Sequence, residues 1–103
     1  MADKMSELES TLKEYENRIA YIADDRNWED DVWNALICRD LLEDSLEQLS
    51  DEQQHRLMIA DSRLVALHNR VGQILPARVT HPRSRWWWFL NEGPDVRKRR
   101  EVA

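Results

Sequence analysis

The sequence predicts an all-α fold: a three-helix antiparallel hairpin bundle followed by an irregular, Trp-rich, basic C-terminal tail. Three observations carry that expectation. Apolar residues recur at a 3-4 spacing between residues 5 and 75. Only two glycines and three prolines occur in 103 residues, too few turn residues for a sheet protein of this size. Beyond Pro76 the period is lost, and Pro82, Gly93 and Pro94 punctuate what remains. The predicted division is residues 1–75 for the bundle, with helices about 5–24, 28–49 and 51–75. Residues 76–103 form an extended tail with an aromatic cluster and a basic end.

The first helix follows from Met5, Leu8, Leu12, Tyr15, Ile19 and Ile22, an unbroken 3-4-3-4 series that lays one narrow apolar seam along a helix. Ser6 and Glu9 have the spacing of a capping box at its start. A seam so narrow cannot be a core alone and must lie against another element. The stretch Ala23 to Asn27 interrupts it. Asn27 can cap the next helix, and the acids Glu29, Asp30 and Asp31 suit the positive end of its dipole. That explanation suffices for the cluster, so no metal is assigned to it.

The second helix has two apolar stripes, the pattern of a central element. Trp28, Val32, Ala35, Leu36, Leu42, Leu46 and Leu49 form the broad one, and Trp33, Ile37 and Leu41 run at i, i+4, i+8 along another side. Arg39 interrupts the broad face. Snorkelling to water along its aliphatic stem is the favoured reading; pairing with a carboxylate such as Asp61 is the alternative. The third helix begins at a second capping-box signature, Ser50 to Gln53. It continues through Leu57, Ala60, Leu64, Leu67, Val71 and Ile74, and stops before Pro76. Neither Gly nor Pro marks the junction at 49–51, so one continuous helix through it stays open. The expected core includes Leu12, Ile19, Leu42, Leu46, Leu64, Leu67 and Val71.

The tail holds the most unusual run, Trp86-Trp87-Trp88-Phe89-Leu90. Consecutive side chains cannot all face one way. The rings either fold back onto the bundle as a lid or serve as a docking segment, for which tryptophan is well suited. Arg83 and Arg85 precede them and Arg97-Lys98-Arg99-Arg100 follows. Such flanks suit an anionic membrane surface.

Charge is unevenly spread. Residues 1–62 carry 17 acids and 6 bases, whereas residues 63–103 carry 3 acids and 9 bases. The acidic body repels phosphate and makes nucleic acid the least favoured partner. No nucleophile elbow, phosphate-binding glycine loop or zinc-protease motif occurs. His55, His68 and His81 lack metal-ligand spacing, and His68 reads as a packing residue. Cys38, the only cysteine, has no sign of activation. No catalytic residue, cofactor or metal is therefore expected, and the chain is read as a non-enzyme. There is no secretory signal, and the longest apolar run is five residues against the roughly 20 of a spanning helix. The expected location is cytoplasmic, with the inner face of a membrane as the variant.

The segment His81-Pro82-Arg83-Ser84-Arg85-Trp86-Trp87-Trp88-Phe89-Leu90 resembles a Pro-x-x-x-Trp-Trp-Trp phrase of uncharacterised bacterial proteins, in which a helical region precedes it and membrane segments follow in some members. Membrane association is what the resemblance implies; it carries over no catalytic residue. From the residues themselves, the leading expectation is an interaction or assembly module that self-associates or docks on a larger protein. Trp33, Ile37, Leu41, Arg83, Arg85, Trp86, Trp87, Trp88 and Phe89 are the candidate contact residues. A peripheral membrane protein anchored by the Trp/Arg tail is the alternative.

Overall fold

The computed structural model describes residues 4–24, 29–75 and 80–97. The side chains of Met5 and Ser6, the residues Asn27, Trp28 and Pro76, and positions 98–100 of the basic run lie outside the described residues. The regular structure is helical, with no strand among the described residues. In chain order it comprises α1 (Lys4–Ala23), α2 (Glu29–Asp44), a short 3-10 turn (Leu46–Gln48), α3 (Asp51–Ala66), α4 (His68–Ile74) and a second 3-10 segment, the tail turn (Trp86–Glu92).

The seam on α1 is buried at Leu8, Leu12, Tyr15, Ile19 and Ile22, because α1 packs against both α2 and α3. Val32, Ala35, Leu36 and Leu42 bury the broad face of α2. That helix ends at Asp44, short of the expected residue 49. The chain passes through the short 3-10 turn and is extended at Leu49 (ψ 140°) and Ser50 (ψ 165°). The junction is therefore broken, and the capping box explains why. The Gln53 N–H donates to Ser50 Oγ at 3.1 Å while the Ser50 N–H donates to Gln53 Oε1 at 2.9 Å, satisfying amides that a helix start leaves free. Leu46, expected in the core, is exposed because the break carries it off the face of α2.

The expected third helix is two. Leu67 leaves helical geometry (φ −96°, ψ 16°), is only partly buried, and redirects the chain into α4, where Val71 returns to the core. Arg70 Nη1 donates to the Ile22 carbonyl at 2.9 Å and so satisfies an acceptor at the end of α1. Gly72 lets α4 approach the tail turn closely: a Cβ there would lie 2.9 Å from Asn91 Cα.

The tail is not extended where its rings lie. Residues 86–92 coil into the 3-10 segment, kinked at Phe89 (φ −119°), and close on Gly93, whose φ of 109° suits glycine. The cause is apolar surface. Each indole removes roughly 150–250 Å² from water when buried, and compact turns bring successive rings onto several walls at once. α2 and α4 supply those walls.

Candidate protein-docking surface

Two sets of candidate residues meet very different fates. Trp86, Trp87, Trp88 and Phe89 are all buried, as is Leu90. Trp87 and Trp88 each donate their indole N–H to the same Asp40 oxygen at 2.9 Å, and Arg85 Nη1 donates to it at 2.9 Å as well. Trp86 sets its ring edge against Trp87 with 5.5 Å between centroids. The His81 ring stacks on Trp88 at 3.9 Å, within 1° of parallel. The Arg83 guanidinium lies 4.6 Å from the centre of the Phe89 ring and pairs with Glu92 at 2.7 Å. Arg85 is shared by Asp44 and Asp40, in that order of effect, and the two carboxylates raise its pKa above the usual value. The tail residues read as contact candidates are thus engaged within the chain.

Arg39 meets the tail turn from the bundle side. It does not snorkel. Its Nε donates to Asp61 Oδ1 at 2.9 Å, its Nη2 to Asp61 Oδ2 at 3.2 Å and its Nη1 to Glu43 at 3.0 Å. The Tyr15 hydroxyl donates to Asp61 Oδ1 at 2.6 Å, so α1, α2 and α3 share one buried carboxylate. The Trp87 ring lies 4.4 Å from the Arg39 guanidinium carbon and closes this group from the tail side. Burial pulls Arg39 toward neutrality, but Asp61, Tyr15 and Glu43 outweigh it and raise its pKa. Burial first, and Asp61 second, hold the Tyr15 hydroxyl well above the ordinary phenol range, keeping it a donor. Asp61 leaves no room for snorkelling to be the better state: an unpaired buried carboxylate would cost as much as an unpaired guanidinium.

The stripe on α2 behaves otherwise. Trp33 is 39% exposed, Ile37 50% and Leu41 53%. Helical spacing places them in one line on the side of α2 turned from the core. Trp33 is also braced: its ring lies 6.1 Å from that of Trp88, tilted by 41°. Other exposed apolar residues, such as Tyr21 on α1 and Met58 on α3, sit on other helices. Scattered apolar residues are ordinary on a surface, whereas a contiguous line is not.

Acids accompany the stripe. Glu29 and Asp30 at one end and Asp44 at the other are exposed. Asp31, half-buried, is instead paired with Arg18 at 2.7 Å. Sequence reading assigned Glu29 and Asp30 to the helix dipole alone and passed over Asp40, whose role depends on a tail more than forty residues away. Cys38 is buried, and burial raises its thiol pKa. A separate apolar cleft of about 240 Å³ lies between α1 and α3, lined by Ile19, Ala20, Ala23, Ala66 and Leu67, with Glu16 and Arg63 at its edge. No protein-family model, curated protein or solved structure matches the chain.

Proposed function

We propose that this chain is a non-enzymatic helical interaction module that docks a partner protein through the outer face of α2. The observation that carries this reading is the line Trp33, Ile37 and Leu41, left in solvent by a fold that buries five consecutive large residues elsewhere. Full burial of such side chains contributes roughly 1.5–3 kcal/mol each, so a partner covering the line gains a binding core. Trp33, held against Trp88, offers its ring with little conformational freedom left to lose.

The membrane alternative draws less support than docking, since the rings that would anchor it are buried and Arg83 and Arg85 are in ion pairs. Among the described residues no helix is long and apolar enough to cross a membrane. The docking proposal is tested by affinity capture with the wild-type chain and an Ile37→Ser, Leu41→Ser variant. The expected result is a partner retained by the wild type and lost by the variant, with both chains equally helical. Identical captured sets would refute docking through α2. Sedimentation at high micromolar concentration examines self-association separately, and a strict monomer rules it out.

A further inference from the structure

The outer face of α2 is not only apolar; it is apolar and acidic. Asp30 lies seven residues before Ile37 and Asp44 seven after it, so both project from the side of the helix that carries the stripe. Glu29 extends the acidic end. The one basic residue of α2 itself, Arg39, is buried against Asp61. Arg85 reaches the other end, but one guanidinium there serves two carboxylates, Asp40 and Asp44.

This pattern chooses among partners. A second copy of the chain packed through the same face would, in an antiparallel pairing centred on Ile37, set Asp30 of one copy against Asp44 of the other. A parallel pairing would set each acid against its own counterpart. Both arrangements bring like charges together around a desolvated stripe, which is unfavourable. A helix with apolar residues at i, i+4, i+7 and lysine or arginine a turn beyond them meets every feature of the face at once. Its apolar side covers Ile37 and Leu41, its cations meet the rim, and an arginine can lie over the open face of Trp33.

We infer that the outer face of α2 receives a basic amphipathic helix of a partner protein. This rests on the docking reading above and adds the chemistry of the partner. The test titrates the full chain with two fluorescein-labelled amphipathic helical peptides of identical leucine spacing, one flanked by lysines and one with every lysine replaced by glutamate. The lysine peptide is expected to bind about tenfold tighter or more at low salt, the advantage shrinking as salt screens the rim. Ile37→Ser should cost that binding about tenfold, and Glu29→Lys with Asp30→Lys should remove or invert the preference between the peptides.

If both peptides bind equally and both are weakened by Ile37→Ser, α2 docks helices without regard to charge; the inference falls and the docking reading stands. If the lysine peptide binds but ignores Ile37→Ser, the acidic body alone attracts it and both fall. Absence of binding by either peptide at millimolar concentration likewise overturns both. A dimer in sedimentation that Ile37→Ser dissolves would put a second copy on the face and overturn the inference.

Discussion

The tail turn and the outer side of α2 are comparable in content and opposite in fate. One holds three tryptophans, a phenylalanine and a leucine in consecutive positions, and all are buried. The other holds a tryptophan, an isoleucine and a leucine at regular helical spacing, and all remain in solvent. Hydrophobicity alone would bury both sets. What separates them is polar provision. The tail rings arrive at a site with acceptors in place: Asp40 takes two indole N–H groups and Arg39 lies against Trp87. Of the stripe, Trp33 rests against Trp88 while Ile37 and Leu41 stay about half in solvent, and the rim is acidic.

If the tail turn belongs to the core, disturbing its polar seat should be costly. Asp61→Ala leaves Arg39 buried without its principal partner and should destabilise the chain by about 3–5 kcal/mol in denaturant titration. Arg39→Leu combined with Asp61→Leu should recover most of that loss, because no buried charge remains unpaired. Trp87→Ala should cost a similar ~3–5 kcal/mol through the lost ring. Asp40→Ala, which strips both indoles of their acceptor, should cost about 1–3 kcal/mol. A Trp87→Ala variant with near wild-type stability would make the tail turn a removable lid and erase the contrast.

Alkali sharpens the same side. The folded-state pKa of Tyr15 is raised above its unfolded value near 10, so the neutral hydroxyl contributes fully below about pH 10. As pH rises beyond that, the unfolded chain loses the proton first and stability should fall by up to about 1.4 kcal/mol per pH unit. Tyr15→Phe, although less stable at pH 7, should lose that component of the slope. At the other extreme, Ile37→Ser on the stripe should change stability by no more than about 0.5 kcal/mol. A much larger loss would mean that Ile37 supports the fold rather than a partner.

Legibility in the sequence followed the range of the cause. The α1 seam and the Ser50–Gln53 cap are local patterns, and both stand where their spacing put them. The stripe of Trp33, Ile37 and Leu41 was visible because a period of four needs no tertiary knowledge. The break at Leu67 carries neither Gly nor Pro, so only packing reveals it. Arg39 could be recognised as a violation, and Asp61 named as one remedy, but the choice between pairing and snorkelling depends on a contact twenty-two residues distant and on Tyr15 and Trp87 around it. The tail was least legible. Four rings and a leucine in a row have no period, and their placement depends on Asp40 and on the close approach that Gly72 permits.

Hydroxyl-radical footprinting read by mass spectrometry, with and without the lysine-flanked peptide, addresses the contrast between these two regions in one experiment. The expected result is labelling of Trp33, Ile37 and Leu41 in the free chain, little at Trp86 to Leu90, and protection on binding confined to the α2 line. Heavy labelling of Trp87 and Trp88 in the free chain, or protection centred on the Ile19, Ala23 and Leu67 cleft instead, would contradict it.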